Sequence, residues 1–266
     1  MEYWNQLLDE AIRLAKSAGE IQLGYFREGN LSIQTKQNEY DVVTVADKAS
    51  EKWIVSEINT LFPEHDILSE EGGNMIAGSK DYKWIIDPLD GTTNFSQGLP
   101  IFSVSIAVEY KGETIVGVVY APYLNELFYA IKGKGSYKNG QKLVCSNKTR
   151  LEESVVATGI PYDKQENPDN NIKELSRVAP KVRGLRRLGS AAIDLCYVGA
   201  GYFDAYWELN LHKWDVAAGA LIAKEAGARI FSIRENRNHS VLAACPGICD
   251  QMLEILLTPD IQHSIH

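Results

Sequence analysis

The sequence has few cysteines, and they are not arranged to hold a structural metal. The four are Cys145, Cys196, Cys245 and Cys249, and none forms a C-x-x-C pair. The closest two, Cys245 and Cys249, have no second pair with which to complete a zinc site. The simplest interpretation is a reduced, cytoplasmic protein without disulfide bonds.

Long apolar runs and an excess of positive charge are also missing. No stretch of about 18 apolar residues occurs, so no membrane span is predicted. The N-terminus lacks the basic and apolar regions of a signal peptide, so none is expected. The formal net charge is −8, which disfavours nucleic acid as a direct partner. This acidity is compatible with a group of carboxylates that needs a cation.

The remaining pattern predicts a mixed α/β (α+β) protein. Its 266 residues, of which 45% are hydrophobic, suffice for one large domain or two fused lobes. We expect one compact unit made of an N-terminal lobe, 1–145, and a C-terminal lobe, 146–266. Helical spacing or β-prone runs predict helices at 4–26, 45–62, 170–179, 190–200 and 215–226, an antiparallel meander at 101–138, and strands at 66–68, 83–86, 154–158 and 203–208.

The most informative segment is WIIDPLDGTTNF, residues 84–95. An apolar strand delivers Asp87 and Asp90 to its end, where a tight turn allows both carboxylates to converge. Two anions so close repel each other unless a cation lies between them. Oxygen ligands of this kind suit Mg²⁺, and the Leu89 carbonyl lies between them as a further potential ligand. The alternative is a simple turn with Asp87 as a cap.

Gly91 and Thr92 follow directly and open a short helix. Backbone N–H groups at a helix start favour a phosphate, so carboxylates for a metal stand beside donors for phosphate. A second acidic position is Glu70-Glu71, at the end of the strand at 66–68. Successive side chains along an extended backbone point to opposite sides, so at most one of the two acids faces the site, and we choose Glu70. The alternative is a solvated loop.

Two further aspartates have structural alternatives. Asp47 stands three residues after Thr44 and before a helix, and local sequence favours a capping box between them. Asp215 stands in a first helical turn, where acids often only complement the helix dipole. The small residues that follow Asp215 permit close approach of helix and sheet.

The segment Gly189-Ser190-Ala191-Ala192 also opens a helix with small side chains. These residues indicate either tight helix packing or room for a substrate ring. Glu208, at the end of the strand at 203–208, is either a surface acid or an acceptor for substrate hydroxyls. Lys36 lies on a polar loop, where lysines are usually only solvated.

Together these segments resemble the inositol monophosphatase family, within the lithium-sensitive, magnesium-dependent phosphatase superfamily. Residues 84–95 and WDVAAG at 214–219 carry most of the resemblance. The segments at 41–47, 69–72, 133–140 and 189–192 match in the same order. The resemblance implies a layered α-β-α-β-α sandwich of the inositol monophosphatase and fructose-1,6-bisphosphatase type, a site between the lobes, and a homodimer.

The resemblance also implies roles for individual residues. Two or three Mg²⁺ ions would be bound by Glu70, Asp87, the Leu89 carbonyl, Asp90 and Asp215. Catalysis would involve Glu70 together with Thr92 and Asp47, which position and deprotonate the attacking water; this replaces the capping preference for Asp47. Phosphate would be held by Gly91 and Thr92. The alcohol would contact Asp90, Gly189, Ser190, Ala191, Glu208 and Asp215, and Lys36 would lie on the family's mobile loop near the metals.

The substrate is less strongly indicated. Thr93-Asn94-Phe95 resembles the inositol form of the motif, and Glu208 suits adjacent hydroxyls, so myo-inositol monophosphate is favoured. Fructose 1,6-bisphosphate, histidinol phosphate and 3′-phosphoadenosine 5′-phosphate are alternatives, although relatives that act on the last usually carry Lys-Glu-Phe there. Lys213 replaces a proline found in many bacterial members. Some of those members bind transcription machinery or RNA, so a regulatory protein-binding role is a further alternative.

Overall fold

The computed structural model of the protein describes residues 2–27, 34–35, 42–76 and 81–258. Lys36 therefore lies outside the described residues. The described helices are α1 Glu2–Tyr25, α2 Val45–Leu61, α3 Thr92–Ser96, α4 Ile172–Val178, α5 Ala191–Gly199, α6 Lys213–Glu225 and α7 Pro246–Leu257. None of the helices within these ranges is long and apolar enough to cross a bilayer.

The strands form two large sheets. An eight-stranded sheet has the order β10-β9-β8-β7-β6-β5-β3-β4 and a five-stranded sheet the order β12-β11-β13-β15-β14, beside a small β1-β2 pair. The strands are β1 Gln34–Thr35, β2 Val42–Val43, β3 Asp66–Ser69, β4 Gly73–Met75, β5 Tyr82–Asp90, β6 Ser103–Tyr110, β7 Glu113–Ala121, β8 Glu126–Ile131, β9 Ser136–Lys138, β10 Gln141–Lys142, β11 Val155–Thr158, β12 Gly184–Arg186, β13 Ala205–Leu211, β14 Arg229–Ser232 and β15 His239–Ala244. The predicted meander is confirmed, because β6 to β9 pair antiparallel in chain order.

The eight-stranded sheet is covered by helices on both faces. Along β5, Trp84 and Ile86 pack with α1 and α2 in one apolar cluster, whereas Ile85 packs with α5 and α6 in another. Successive side chains of a strand point to opposite faces, so a strand covered on both sides is apolar without interruption. This explains why residues 84–86 are uniformly hydrophobic.

Helices α5 and α6 form a central layer between the two sheets. Their other faces pack against β11, β13 and β15, and α4 and α7 cover the far face of the five-stranded sheet. The order of layers is therefore helix, sheet, helix, sheet, helix, and the predicted α-β-α-β-α sandwich is confirmed. The division into lobes at residue 145 stays a prediction.

Small residues allow the central helices to approach closely. A Cβ atom on Gly117 of β7 would lie 2.8 Å from the Ala218 carbonyl oxygen of α6. A Cβ atom on Gly219 would lie 2.8 Å from the Cβ of Leu195 of α5. Both distances are shorter than a normal carbon contact, so neither position has room for a side chain. The small residues after Asp215 thus permit the close packing that the sequence predicts.

Several boundaries differ from the sequence-based expectation. Strand β5 does not end in a tight turn at Asp87; it continues to Asp90 with a shift of register between the two aspartates. Helix α6 begins at Lys213, so Asp215 is its third residue. Strand β13 extends past Glu208 to Leu211, again with a register shift. Neither β15 nor α7 was predicted, although Pro246 is a favourable first helical residue.

Candidate functional site

Asp87 and Asp90 lie at the end of β5, where the strand is bulged. Asp87 pairs with Ser105 of β6 and Asp90 with Ser103, so three steps along β5 oppose two along β6. A bulge of this kind bends a strand and redirects its side chains, which is how both carboxylates come to the same edge of the sheet. Both aspartates are buried. The Asp87 Oδ1 atom accepts a hydrogen bond of 3.0 Å from the Leu89 N–H.

Glu70 is brought beside Asp87 by parallel pairing of β3 with β5. The register places Ser69 opposite Ile86, and the Glu70 N–H donates to the Ile86 carbonyl at 3.2 Å. The Glu70 side chain hydrogen-bonds to that of Asp87. Its neighbour Glu71 donates its backbone N–H to Glu51 Oε2 at 2.9 Å. Glu70 is therefore the member of the pair that faces the aspartates.

Asp215 arrives from the other half of the chain, in the first turn of α6. Its Oδ2 atom accepts a hydrogen bond of 2.6 Å from the His212 N–H. Burial, followed by the charges of Glu70 and Asp90, raises the pKa of Asp215 well above its usual range. Burial, followed by the charges of Glu70, Asp90 and Asp215, does the same to the pKa of Asp87. Four acids from three separate segments thus meet in one region, where Asp87 and Asp90 are buried and Glu70 and Asp215 half-buried.

The N-terminus of α5 holds Asp90. The Asp90 carboxylate accepts hydrogen bonds from the Ser190 hydroxyl at 2.5 Å, the Ala192 N–H at 2.9 Å and the Ala191 N–H at 3.3 Å. Burial raises the pKa of Asp90, and these donors oppose that rise because they stabilise the charged form. Gly189 precedes this turn with a φ of +85°, a conformation that favours glycine.

Thr92 and Asp47 form a buried pair, although the chain separates them by 45 residues. The Thr92 hydroxyl lies 3.0 Å from Asp47 Oδ1 and also 3.0 Å from the Leu89 carbonyl oxygen. The second oxygen, Asp47 Oδ2, accepts from the Thr44 N–H at 2.9 Å, and Thr44 caps α2 in a capping box. The local interpretation and the pairing with Thr92 therefore both hold, one for each carboxylate oxygen.

Gly91 connects the bulged strand to α3 with a φ of +94°. A Cβ atom at Gly91 would lie 2.9 Å from the Ile101 carbonyl oxygen, so both conformation and space require glycine. The N–H groups of Gly91 and Thr92 stand at the start of α3, in line with the sequence-based expectation. They adjoin the acids, because Asp90 and Gly91 are consecutive.

A cavity of about 250 Å³ adjoins the acids. The predicted substrate-side residues that line it are Asp90, Gly189, Ala191, Glu208 and Asp215, and Ser190 is buried behind them. Burial raises the pKa of Glu208 to about 7, opposed first by a hydrogen bond from Tyr206. The cavity also has a wall that the sequence reasoning missed, formed by residues 159–163 together with Arg187. Its only sequence signal is Gly159-Ile160-Pro161 after a strand.

The oxygen atoms of these acids and of the Leu89 carbonyl are of the chemical type that binds a hard divalent cation. Buried carboxylates that raise one another's pKa, beside the Leu89 carbonyl, are the oxygen ligands that Mg²⁺ prefers. However, the described residues contain no set of three or more acidic, histidine or cysteine side chains already arranged to hold a metal ion. The acids instead direct oxygens at protein donors, as Asp215 does at the His212 N–H.

Comparisons with known proteins agree with this geometry. The family model described as the inositol monophosphatase family matches residues 4–265. Nus factor SuhB of Pasteurella multocida is 43% identical over 256 residues, which cover 94% of this chain and 95% of that protein.

Two solved structures have closely similar folds. The extragenic suppressor protein suhB from Bartonella henselae is 36% identical, with a TM-score of 0.89 over 96% of this chain and 100% of that one. The inositol monophosphatase from Anabaena is also 36% identical, with a TM-score of 0.86 over 97% and 98% of the two chains. The match of the family model over nearly the whole length, on a fold that carries the acids described above, leads to one conclusion: this chain belongs to the inositol monophosphatase family.

Proposed function

We propose that the protein is a Mg²⁺-dependent phosphatase that hydrolyses a small phosphate monoester. The observation that carries the proposal is the meeting of four acids, the buried Asp87 and Asp90 and the half-buried Glu70 and Asp215. Burial, followed by the charges of neighbouring acids, raises the pKa of Asp87 and Asp215. Such a group is unfavourable at neutral pH until a cation compensates it. Family membership supports the same chemistry, since phosphatase activity is the property for which the family is named.

In this proposal the four acids and the Leu89 carbonyl hold two or three Mg²⁺ ions. Bound Mg²⁺ would supply charge neutralisation for the phosphate and would lower the pKa of a water molecule. The N–H groups of Gly91 and Thr92 would hold the phosphate at the start of α3. Thr92, which is hydrogen-bonded to Asp47, would orient the attacking water. The proton of that water would pass by way of the Thr92 hydroxyl to the buried carboxylate of Asp47.

The alcohol would occupy the cavity beside the acids. Glu208 and Asp90 line it and can accept hydrogen bonds from hydroxyl groups, whereas Ala191 and Gly189 leave room for a ring. This combination favours a polyol, and we propose myo-inositol monophosphate as the substrate. The Anabaena relative, 36% identical, is named an inositol monophosphatase, which supports this choice.

A phosphate-release assay with and without Mg²⁺ tests the proposal. We would compare myo-inositol monophosphate with fructose 1,6-bisphosphate, histidinol phosphate and 3′-phosphoadenosine 5′-phosphate. The expected result is Mg²⁺-dependent release that is highest with the inositol ester. Asp90→Asn should abolish turnover, whereas the control Asp250→Asn, an exposed acid of α7 paired with Arg229, should not. Near-normal activity of Asp90→Asn contradicts the metal assignment, and a preference for another ester contradicts the substrate.

A second candidate function is a regulatory one through binding to another protein. The observation that favours it is the 43% identity to a relative named as a Nus factor. Affinity capture from lysate, with wild type and Asp90→Asn compared, tests this candidate. Capture of the same partner by both proteins supports a binding role independent of catalysis, and capture of none by either, beside full phosphatase activity, contradicts it.

We further propose that the protein forms a homodimer and that lithium inhibits it, both by analogy with the family. Light scattering after size-exclusion chromatography should give about twice the chain mass of 29.6 kDa. Titration of Li⁺ against Mg²⁺-supported phosphate release should give progressive inhibition. A monomeric mass, or activity that is insensitive to Li⁺, contradicts the respective proposal.

A further inference from the structure

We propose that Gly159 and Tyr206 are positioning residues for Glu208. Together they fix the Glu208 carboxylate at the wall of the cavity, where this carboxylate accepts a hydrogen bond from a hydroxyl group of the substrate. The inference rests on the proposed function, in which Glu208 contacts the alcohol. The inference adds two residues, Gly159 and Tyr206, that act through Glu208. The selection of hydroxylated esters then depends on residue 159, where only glycine fits.

The first observation is the contact between Gly159 and the Glu208 carboxylate. A Cβ atom at Gly159 would lie 1.9 Å from Oε2, 2.0 Å from Cδ and 2.0 Å from Oε1 of Glu208. All three carboxylate atoms therefore occupy the place that a side chain at residue 159 would take. Gly159 does not have a positive φ, so its backbone accepts alanine without strain. The need for glycine is one of space, and the space is that of Glu208.

The second observation is that the Gly159 backbone is fixed. Asn171 Nδ2 donates to the Gly159 carbonyl at 2.5 Å and to the Thr158 hydroxyl at 2.8 Å. Asn171 Oδ1 accepts from Trp207 Nε1 at 2.6 Å, and the Thr158 hydroxyl donates to the Trp207 carbonyl at 2.7 Å. This closed set of buried hydrogen bonds joins β11, β13 and the start of α4. A new methyl group at residue 159 would therefore displace Glu208 and not the backbone.

The third observation is the hydrogen bond that the Tyr206 hydroxyl donates to Glu208 Oε2. Tyr206 precedes Glu208 by two residues on β13, so both side chains leave the same face of the strand. Tyr206 is fully buried, which leaves its hydroxyl little freedom to turn away. Beyond Glu208 the pairing of β13 with β15 shifts register before Leu211, and such irregularities re-aim side chains at functional sites.

These contacts leave one carboxylate oxygen for a ligand. Tyr206 engages Oε2, and no residue within the described ranges donates a hydrogen bond to Oε1 in the structure. Glu208 lines the cavity, so Oε1 can accept a hydrogen bond from a substrate hydroxyl. A carboxylate that is held on two sides loses little rotamer freedom when it binds a hydroxyl group. It should therefore select hydroxylated substrates better than a freely rotating carboxylate would.

The test compares Gly159→Ala and Tyr206→Phe with the controls Gly24→Ala and Tyr129→Phe. Gly24 has no atom within 4 Å of its Cβ position, and Tyr129 lies on β8 with its ring stacked on Tyr137. Both site variants should raise KM for myo-inositol monophosphate by about 10- to 100-fold, the effect of losing a hydrogen bond to a charged group. The increase in KM should exceed the decrease in kcat.

The comparison ester is p-nitrophenyl phosphate, which has no hydroxyl group for Glu208 to read. Both variants should affect its hydrolysis at least five-fold less than that of the inositol ester. In a Glu208→Ala background, Gly159→Ala should add almost nothing, because the atoms that it displaces are gone. Retained melting temperature confirms that the fold survives. If Gly159→Ala does not fold, Tyr206→Phe carries the same test.

Two results would overturn the inference. Equal losses on the two esters would show that neither residue acts through the hydroxyl contact. Full additivity of Gly159→Ala with Glu208→Ala would show that Gly159 does not act through Glu208. Failure of the proposed function has a different signature, since the wild type would then release no phosphate from either ester with Mg²⁺.

Discussion

Replacing Asp87 with asparagine separates the electrostatic cost of the buried acids from their ability to bind a cation. Asparagine has nearly the same shape, and its Oδ1 atom can still accept the hydrogen bond from the Leu89 N–H. The substitution removes a carboxyl group whose pKa is raised well above its usual range by burial, followed by the charges of Glu70, Asp90 and Asp215. Without metal, and at a pH where Asp87 is charged, Asp87→Asn should therefore stabilise the protein, by about 1.4 kcal/mol for each unit by which burial and the neighbouring charges raise the pKa of Asp87.

The same substitution should abolish stabilisation by Mg²⁺. A ligand that binds only the folded state at 100 times its Kd contributes about 2.7 kcal/mol. For a chain of this size each kcal/mol shifts Tm by about 2–4 °C, so Mg²⁺ should raise the Tm of the wild type by about 5–10 °C. Asp87→Asn should begin with a higher Tm in EDTA and show almost no response to Mg²⁺.

Differential scanning calorimetry in EDTA and in Mg²⁺, at pH 5.5 and 7.5, measures these shifts. Carboxyl groups with a raised pKa in the folded state keep protons that the unfolded chain has lost. The stability of the metal-free wild type should therefore fall as pH rises from about 4 through the raised pKa values. Asp87→Asn should flatten this decline. A lower Tm of Asp87→Asn in EDTA, or an undiminished response to Mg²⁺, would refute the reasoning.

Three further predictions concern stability. Trp84 Nε1 donates to His65 Nδ1 at 3.0 Å and burial lowers the pKa of His65, so the contribution of the neutral imidazole to stability is complete above about pH 6.5 and is lost as pH falls below it; the Tm advantage of the wild type over His65→Gln, measured in the same buffers, should shrink between pH 7 and 5, and a constant difference would contradict the assignment. Gly219→Ala should cost about 1–3 kcal/mol in urea denaturation because it overpacks Leu195, whereas Gly24→Ala should be neutral or stabilising; equal effects of the two would count against the tight helix contact. Asn171→Ala should cost about 2–4 kcal/mol because it leaves buried partners of Asn171 unpaired; Asn171→Asp should be no milder, because its second carboxylate oxygen would face the Gly159 carbonyl oxygen to which Nδ2 now donates, and a loss below 1 kcal/mol for Asn171→Ala would contradict the network.

Much of the fold was readable from local patterns. The helices α1 and α2 follow from apolar residues at helical spacing, and the meander follows from β-prone runs separated by turn signals. Residues 84–95 and 214–219 indicate the family, because they combine an apolar strand, two aspartates and a helix start in an unusual order. The register of the strands could not be predicted from the sequence. The bulge between Asp87 and Asp90 depends on pairing with β6, and the extension of β13 beyond Glu208 depends on pairing with β15.

The sequence by itself determined the residue types of the site: the acids, the glycine at residue 91 and the threonine beside it. Only the tertiary structure decided which of them meet. Parallel pairing of β3 with β5 sets Glu70 beside Asp87, the central helix layer brings Asp215 to the same region, and Asp47 divides its two oxygens between a helix cap and Thr92. The contact of Gly159 with Glu208 has no local signal at all. It arises because two strands 50 residues apart are neighbours, and a single sequence records the residues but not which distant pairs share space.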